Sequence, residues 1–173
     1  INRNEECTTD TLFEWMYREA YTISELSSGA FDITVAPLVN AWGFGTKGQT
    51  PTTSNKICID SIMPYIGYYK TNLIDHQIEK NDPRITLDAS AIAKGYACDV
   101  VANMLRNEGC ANLLVDIGGE VVVQGRNNNG NAWRVGISKP KKNAMGVEDE
   151  LQDVVESTNL CMATSGNYLQ YYF

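Results

Sequence analysis

Apolar residues recur at helical intervals in two stretches of the chain and alternate with polar ones in several others, and this change of period outlines the elements. Leu12, Phe13, Met16, Ala20, Ile23 and Leu26 return every three or four positions between Thr9, suited to cap a helix, and Gly29, suited to stop one. The spacing predicts a helix over 9–28, with Phe13, Trp15 and Tyr17 read as core and partner contacts. A second helix is predicted over 91–108, where apolar positions 92, 96, 100 and 104 are flanked by 93, 97, 101 and 105 and Gly109 closes the run. Phe31, Ile33 and Val35 alternate with Asp32 and Thr34, the pattern of a short strand, before Pro37 opens a helical turn. Residues 46–54 read as an exposed loop, and Ile57, Ile59, Ile62 and Ile66 as a helix capped near Ser54 and bent or ended by Pro64.

The remaining pattern is that of strands. Residues 69–75, 77–80 and 84–87 form a predicted meander that turns at His76 and at Asn81-Asp82-Pro83. Strands 112–117 and 120–124 flank Gly118-Gly119, and 132–138 follows a turn over 125–130. Residues 140–149 read as polar loop, 153–157 and 159–164 as another hairpin, and 168–173 as a last strand. The turns are shorter than the roughly dozen residues that a parallel crossover takes, so the predicted fold class is α+β. A single domain over 1–173 is expected, with a mainly antiparallel sheet packed with helices.

Composition narrows the function. An apolar content of 43% in 173 residues supports an ordinary core. The net charge is −7, and only Lys139, Lys141 and Lys142 cluster, which argues against a nucleic-acid surface. Cys7, Cys58, Cys98, Cys110 and Cys161 are odd in number and lack a C-x-x-C spacing, so neither a zinc site nor a full disulfide framework is indicated. No apolar run reaches the ~18 residues of a spanning helix, and no signal-peptide pattern opens the chain. The chain begins at Ile1 rather than methionine and stops inside an aromatic run at Phe173, the pattern of a processed start and of the front part of something longer. His76, the one histidine, sits where a turn belongs and reads as a surface residue.

Two stretches concentrate the chemistry. From Leu87 to Asp99 an extended run enters a helix through Asp88 and Ser90, both capping residues, with Lys94 in the first turns among alanines and a glycine. A helix N-terminus with a nearby cation suits a phosphate; the same residues also read as a capped amphipathic helix whose lysine is solvated. From Ser28 to Gly45, glycines beside Phe31, Trp42 and Phe44 allow close backbone approach and cover for a planar ligand, or simply a packed strand and turn.

These stretches resemble the bacterial flavin transferases of the ApbE type, once described as thiamine-biosynthesis lipoproteins. Ser28 to Gly45 is similar to the family's G-A-F-D-x-T-x-x-P-L-V-N-x-W-G-F-G segment, and Leu87 to Asp99 to its D-x-x-x-I-A-K-G-Y-x-x-D segment. Leu114 to Gly125 is similar to V-D-x-G-G-E-V-x-x-x-G, and Ala163 to Tyr168 resembles a fourth, weaker block. The resemblance implies an enzyme that splits FAD with the help of magnesium, moves FMN onto a threonine hydroxyl of a target protein and releases AMP. Carried over by position, it makes Ala30, Phe31, Asp32, Asp88 and Lys94 FAD contacts, and Ala91 a metal ligand through its carbonyl. Asp99, Gly118, Gly119 and Glu120 lie in the motifs with supporting and contacting roles both open.

The family's H-x-I-D-P segment, and a later aspartate and threonine that complete its metal site, would fall beyond Phe173, so the resemblance assigns no catalytic residue here. That leaves two further readings beside the transferase: a module that only binds FAD, and a pyrophosphatase that gives free FMN and AMP. The resemblance also implies an exported protein on the outer side of the cytoplasmic membrane, often tethered there by a lipid.

Overall fold

A computed structural model of the chain describes residues 1–45, 59–139 and 151–165, with the backbone alone of 142–143 and 146–147. The predicted loop over 46–54, the helix start near Ser54 and the strand over 168–173 lie outside the described residues. The chain divides into two compact units, Ile1–Ile92 and Ala93–Phe173.

In the first unit, helix α1 (Thr11–Leu26) is capped by Asp10, whose side chain accepts from the Phe13 N–H at 2.8 Å. Thr9, the predicted cap, instead donates its N–H and its hydroxyl to the His76 carbonyl, at 2.7 and 2.9 Å. The helix stops as expected, with Gly29 at φ +80° donating to the Ser24 carbonyl. Its inward face keeps Phe13 and Ala20 of the predicted stripe and Tyr17, read as a core contact, but not Trp15 or the rest of the stripe. Tyr17, Ala20 and Ser24 are buried and Phe13 and Tyr21 pack beside them, while Leu12, Ile23 and Leu26 are exposed. Tyrosine can take the inner positions because the Tyr17 hydroxyl meets the buried Thr71 hydroxyl at 2.8 Å. Burial also pushes the Tyr17 phenol up.

The strand predicted at Phe31 to Val35 is a 3₁₀ turn, Ile33–Val35, which runs into α2 (Ala36–Ala41) with Pro37 in its first turn. Asp32 decides this: its side chain captures the Thr34 N–H, a local bond that replaces a strand ladder. After α3 (Ile59–Ile62), Pro64 lies in a second 3₁₀ turn, Met63–Tyr65. Strands β1 (Thr71–Ile74) and β2 (Gln77–Lys80) pair antiparallel. Asp75 and His76 join them with φ of +45° and +63°, the geometry of a tight hairpin turn. Residues 84–87, predicted as a strand, pair with no strand among the described residues.

Helix α4 (Ser90–Asn107) begins in the first unit and continues into the second, where Gly109 ends it at φ +87°. Here Cys98 and Ala102 are buried, with Val101 and Leu105 beside them, and Met104 is exposed, so the inward face is rotated from the predicted one. Small side chains at its centre let the helix lie close to Leu113, Val115 and Val122.

Strands β3 (Leu113–Ile117) and β4 (Glu120–Gln124) form the predicted hairpin. Strand β5 (Trp133–Ser138) is followed by the short pair β6 (Lys142–Asn143) and β7 (Gly146–Val147), inside the stretch read as loop. Strands β8 (Leu151–Ser157) and β9 (Asn159–Met162) are not the expected hairpin: β8 pairs with β5, and β9 with the far edge of β4. The chain changes sheets at Thr158, whose carbonyl accepts from the Gly125 N–H at 2.7 Å. Strand β4 is buried on both faces, with Val122 in the core under α4 and Val121 and Val123 in a second core with Val135. Every strand pairing described is antiparallel, as the α+β reading requires.

Candidate functional site

Asp32 caps its turn and holds a second segment as well. Its Oδ1 accepts from the Thr34 N–H at 2.8 Å and the Thr34 hydroxyl at 2.7 Å, and its Oδ2 from the Tyr68 N–H at 2.7 Å. The buried Thr34 hydroxyl accepts in turn from the Gly67 N–H at 2.7 Å. The carboxylate is therefore an internal anchor that closes 67–68 onto 32–34. Beside this turn Ala30 is exposed, while Phe31 is half-buried and packs on the core of Tyr17, Ala20 and Ile33. The D-x-T spacing was the local signal for this cap, whereas nothing local pointed to Gly67 and Tyr68.

Asp88 lies beside this anchor. Its main-chain N–H donates to the Ile33 carbonyl at 2.7 Å, so the structure brings together the two stretches of the first unit that the resemblance assigns to FAD. Its Oδ1 accepts from the N–H of Ser90, the first residue of α4, at 2.8 Å. Oδ2 has no hydrogen-bond partner among the described residues. Ala91 is exposed in the first turn of α4, where a regular helix commits its carbonyl to the amide four residues on. No group of three or more His, Cys, Asp or Glu converges among the described residues. One helical carbonyl does not hold magnesium against its hydration shell, so the described residues do not by themselves make that site.

Lys94 belongs to the second unit and is engaged there. Its Nζ donates to the Gly118 carbonyl at 3.0 Å and stands 2.6 Å from Glu120 Oε2. The approach to Oε2 is an ion pair off the line of a hydrogen bond, because that oxygen is buried without a hydrogen-bond partner among the described residues. The lysine side chain is 47% exposed and the glutamate 16%. Glu120 is thus the counter-charge of Lys94, a role that the sequence left open.

The turn that carries the Gly118 carbonyl requires its glycines. Gly118 and Gly119 have φ of +60° and +91°, and a Cβ on Gly119 would stand 2.7 Å from the Thr164 hydroxyl, which donates to the Gly119 carbonyl. The Cys98 thiol donates to the Glu120 carbonyl at 3.0 Å, and burial pushes that thiol up. A cavity of about 200 Å³ beside Glu120 is lined by Gly95, Cys98, Asp99 and Cys161. Its wall carries two carboxylates, Asp99 and Glu120, the second of them paired with Lys94. His76 is a surface residue at a hairpin turn, with Nδ1 2.6 Å from Glu14 Oε1, and this contact holds the Glu14 carboxyl below its usual range.

The family model described as the ApbE family matches residues 1–173. The chain belongs to the ApbE family. It is similar to the FAD:protein FMN transferase of Vibrio cholerae, 35% identical over 155 residues that make up 90% of this chain and 45% of that protein. The Haemophilus influenzae protein of the same name is 32% identical over 99% of this chain and 49% of its own length. Among solved structures, the flavin transferase ApbE of Vibrio cholerae matches with a TM-score of 0.80 and 33% identity, over 98% of this chain and 53% of that one. The apo Pseudomonas stutzeri flavinyl transferase ApbE matches with a TM-score of 0.78 and 29% identity, over 96% of this chain and 51% of that one. The chain spans about half the length of the curated ApbE relatives it matches.

Proposed function

We propose that this chain is the FAD-gripping part of an enzyme that transfers FMN from FAD to a threonine hydroxyl of a target protein. In that reaction the hydroxyl oxygen gives up its proton to solvent as it forms a bond to the phosphorus on the flavin side of the pyrophosphate, and the bridging P–O bond breaks with its electron pair leaving on AMP. The observation that carries the reading is the hydrogen bond from the Asp88 N–H to the Ile33 carbonyl. It sets two stretches that the family resemblance assigns to FAD against one another, although Ile33 and Asp88 lie 55 positions apart in sequence. The names of the relatives support the same activity.

The roles follow from what each group still offers. Among the described residues Asp88 has one carboxylate oxygen without a partner, suited to ribose or adenine donors, and the turn at Ala30 and Phe31 offers backbone and the exposed part of a half-buried ring. Lys94 offers an ammonium to an acceptor on the nucleotide. Magnesium enters the proposal only through the family resemblance, since Ala91 is the one candidate ligand among the described residues. An exported, lipid-tethered location rests on the same resemblance, and fractionation of cells that make the complete gene product tests it.

The experiment supplies that product with FAD, magnesium and an acceptor carrying a threonine, and follows flavin fluorescence on the acceptor together with AMP. Flavin attached in step with AMP, and lost when the acceptor threonine becomes alanine, is the expected result. Free FMN with AMP and no attachment would make the protein a pyrophosphatase. Bound, uncleaved FAD would make it a binding module.

A further inference from the structure

Residues 84–87 alternate like a strand yet join no sheet among the described residues, and the way their polar groups are satisfied bears on Asp88. The Asn2 carboxamide does it for Leu87: its Nδ2 donates to the Leu87 carbonyl at 2.9 Å and its Oδ1 accepts from the Leu87 N–H at 2.8 Å. One side chain thus takes the place of a neighbouring strand. The peptide that joins Leu87 to Asp88 is then held at both ends, its carbonyl by Asn2 and its N–H by the Ile33 carbonyl at 2.7 Å. With only the second of these bonds, the peptide could turn about that bond and carry the Asp88 side chain with it.

The segment that supplies Asn2 is itself tied down. Lys80 Nζ donates to the Ile1 carbonyl at 3.2 Å and to the Asn4 side-chain oxygen on one side, and to the Ile85 carbonyl at 2.9 Å on the other. It reaches the Pro83 carbonyl as well, at 3.5 Å. Ile85 is fully buried and Leu87 packs on the core of Tyr17, Ala20 and Ile33, so apolar side chains fix the depth of this segment while Asn2 fixes the rotation of its last peptide.

We propose that Asn2 is a positioning residue for Asp88, holding the peptide before it in the orientation that contact with FAD requires. The inference rests on the FAD reading of Asp88. It is tested by a double-mutant cycle in the complete gene product, read as FAD affinity by flavin fluorescence, together with amide hydrogen exchange in the absence of FAD. Asn2→Ala should weaken FAD binding about threefold to tenfold when Asp88 is present, and by less than about twofold in an Asp88→Ala background. A loss of equal size in both backgrounds would mean that Asn2 acts through general stability, and would overturn the proposal. If Asp88→Ala binds FAD like the wild type, the FAD reading of Asp88 fails by itself. The exchange measurement then still decides on Asn2. Asn2→Ala should speed exchange of the Asp88 amide at least about tenfold and leave the amides of β3 unchanged, and an unchanged Asp88 amide would refute the clamp.

Discussion

Asp32 in the first unit has both carboxylate oxygens bonded to main-chain and hydroxyl donors of its own fold, whereas Lys94 in the second has one carbonyl and a misaligned ion pair. Two of the donors around Asp32 are backbone amides with no other acceptor among the described residues, and the third is the hydroxyl of the buried Thr34. Nothing that arrives from solvent can replace them cheaply. The partners of Lys94 are different: its side chain is half exposed, and an incoming acceptor can take the ammonium over while Gly118 keeps its bond. A charged residue in a family motif can therefore build the site without touching the ligand, or touch the ligand because its resting partners are exchangeable. Asp32 is committed to its own fold through both carboxylate oxygens, and the resting partners of Lys94 are of the exchangeable kind that the proposed FAD contact needs.

The largest expected effect is that of Asp32→Ala on folding. It strands the Thr34 and Tyr68 amides, and denaturant unfolding should show a loss of about 3 kcal/mol, with faster exchange at the Gly67 and Tyr68 amides. A loss under about 1 kcal/mol would erase the contrast with Lys94. Next comes Lys94→Ala, which should cost FAD binding on the order of 1–3 kcal/mol in the complete gene product. Its effect on stability should stay smaller than that of Asp32→Ala, about 1–2 kcal/mol, because the lysine is half exposed while the Glu120 carboxylate it strands is largely buried. Unchanged affinity by flavin fluorescence would return Lys94 to an ordinary surface bridge.

Glu120→Gln sharpens the comparison from the other side. It releases the ammonium, so FAD should bind roughly threefold more tightly while stability moves by less than about 1 kcal/mol. Weaker binding would mean that Glu120 orients Lys94 rather than restrains it.

Acid gives a smaller effect, confined to the first unit. Arg84, hydrogen-bonded to Asp82 through both its side chain and its backbone, holds the Asp82 carboxyl at about 2, below its ordinary 3.8. Between these values the unfolded chain binds more protons than the folded one. The contribution is complete above 3.8 and is lost as pH falls through about 2. Acid titrations of the wild type and of Asp82→Asn should therefore diverge above about pH 3.8 and converge below about 2. The smallest expected effect is that of magnesium on this chain alone. Titration in the presence of FAD should show little binding, and tight binding abolished by Asp88→Asn would make Asp88 a metal ligand rather than an FAD contact.

The sequence by itself determined what neighbours within a few residues can decide. Gly29 ends α1, Gly109 ends α4, Asp75-His76 and Gly118-Gly119 turn their hairpins, and short connections force antiparallel pairing, while the cap read at Thr9 falls one residue later, at Asp10. Capping, turn chemistry and chain length act locally, so the α+β class and the order of most elements were legible, as were the motif blocks. Tertiary structure decided which face of each helix lies inward, since Tyr17 needs Thr71 and Cys98 needs the Glu120 carbonyl before either can be buried. It paired β8 with β5 and β9 with β4 instead of with each other, and it gave Lys94 to Glu120 and Leu87 to Asn2. Each of these rests on a partner that lies many residues away, and periodicity carries no information about which distant donor or acceptor the fold will bring within 3 Å.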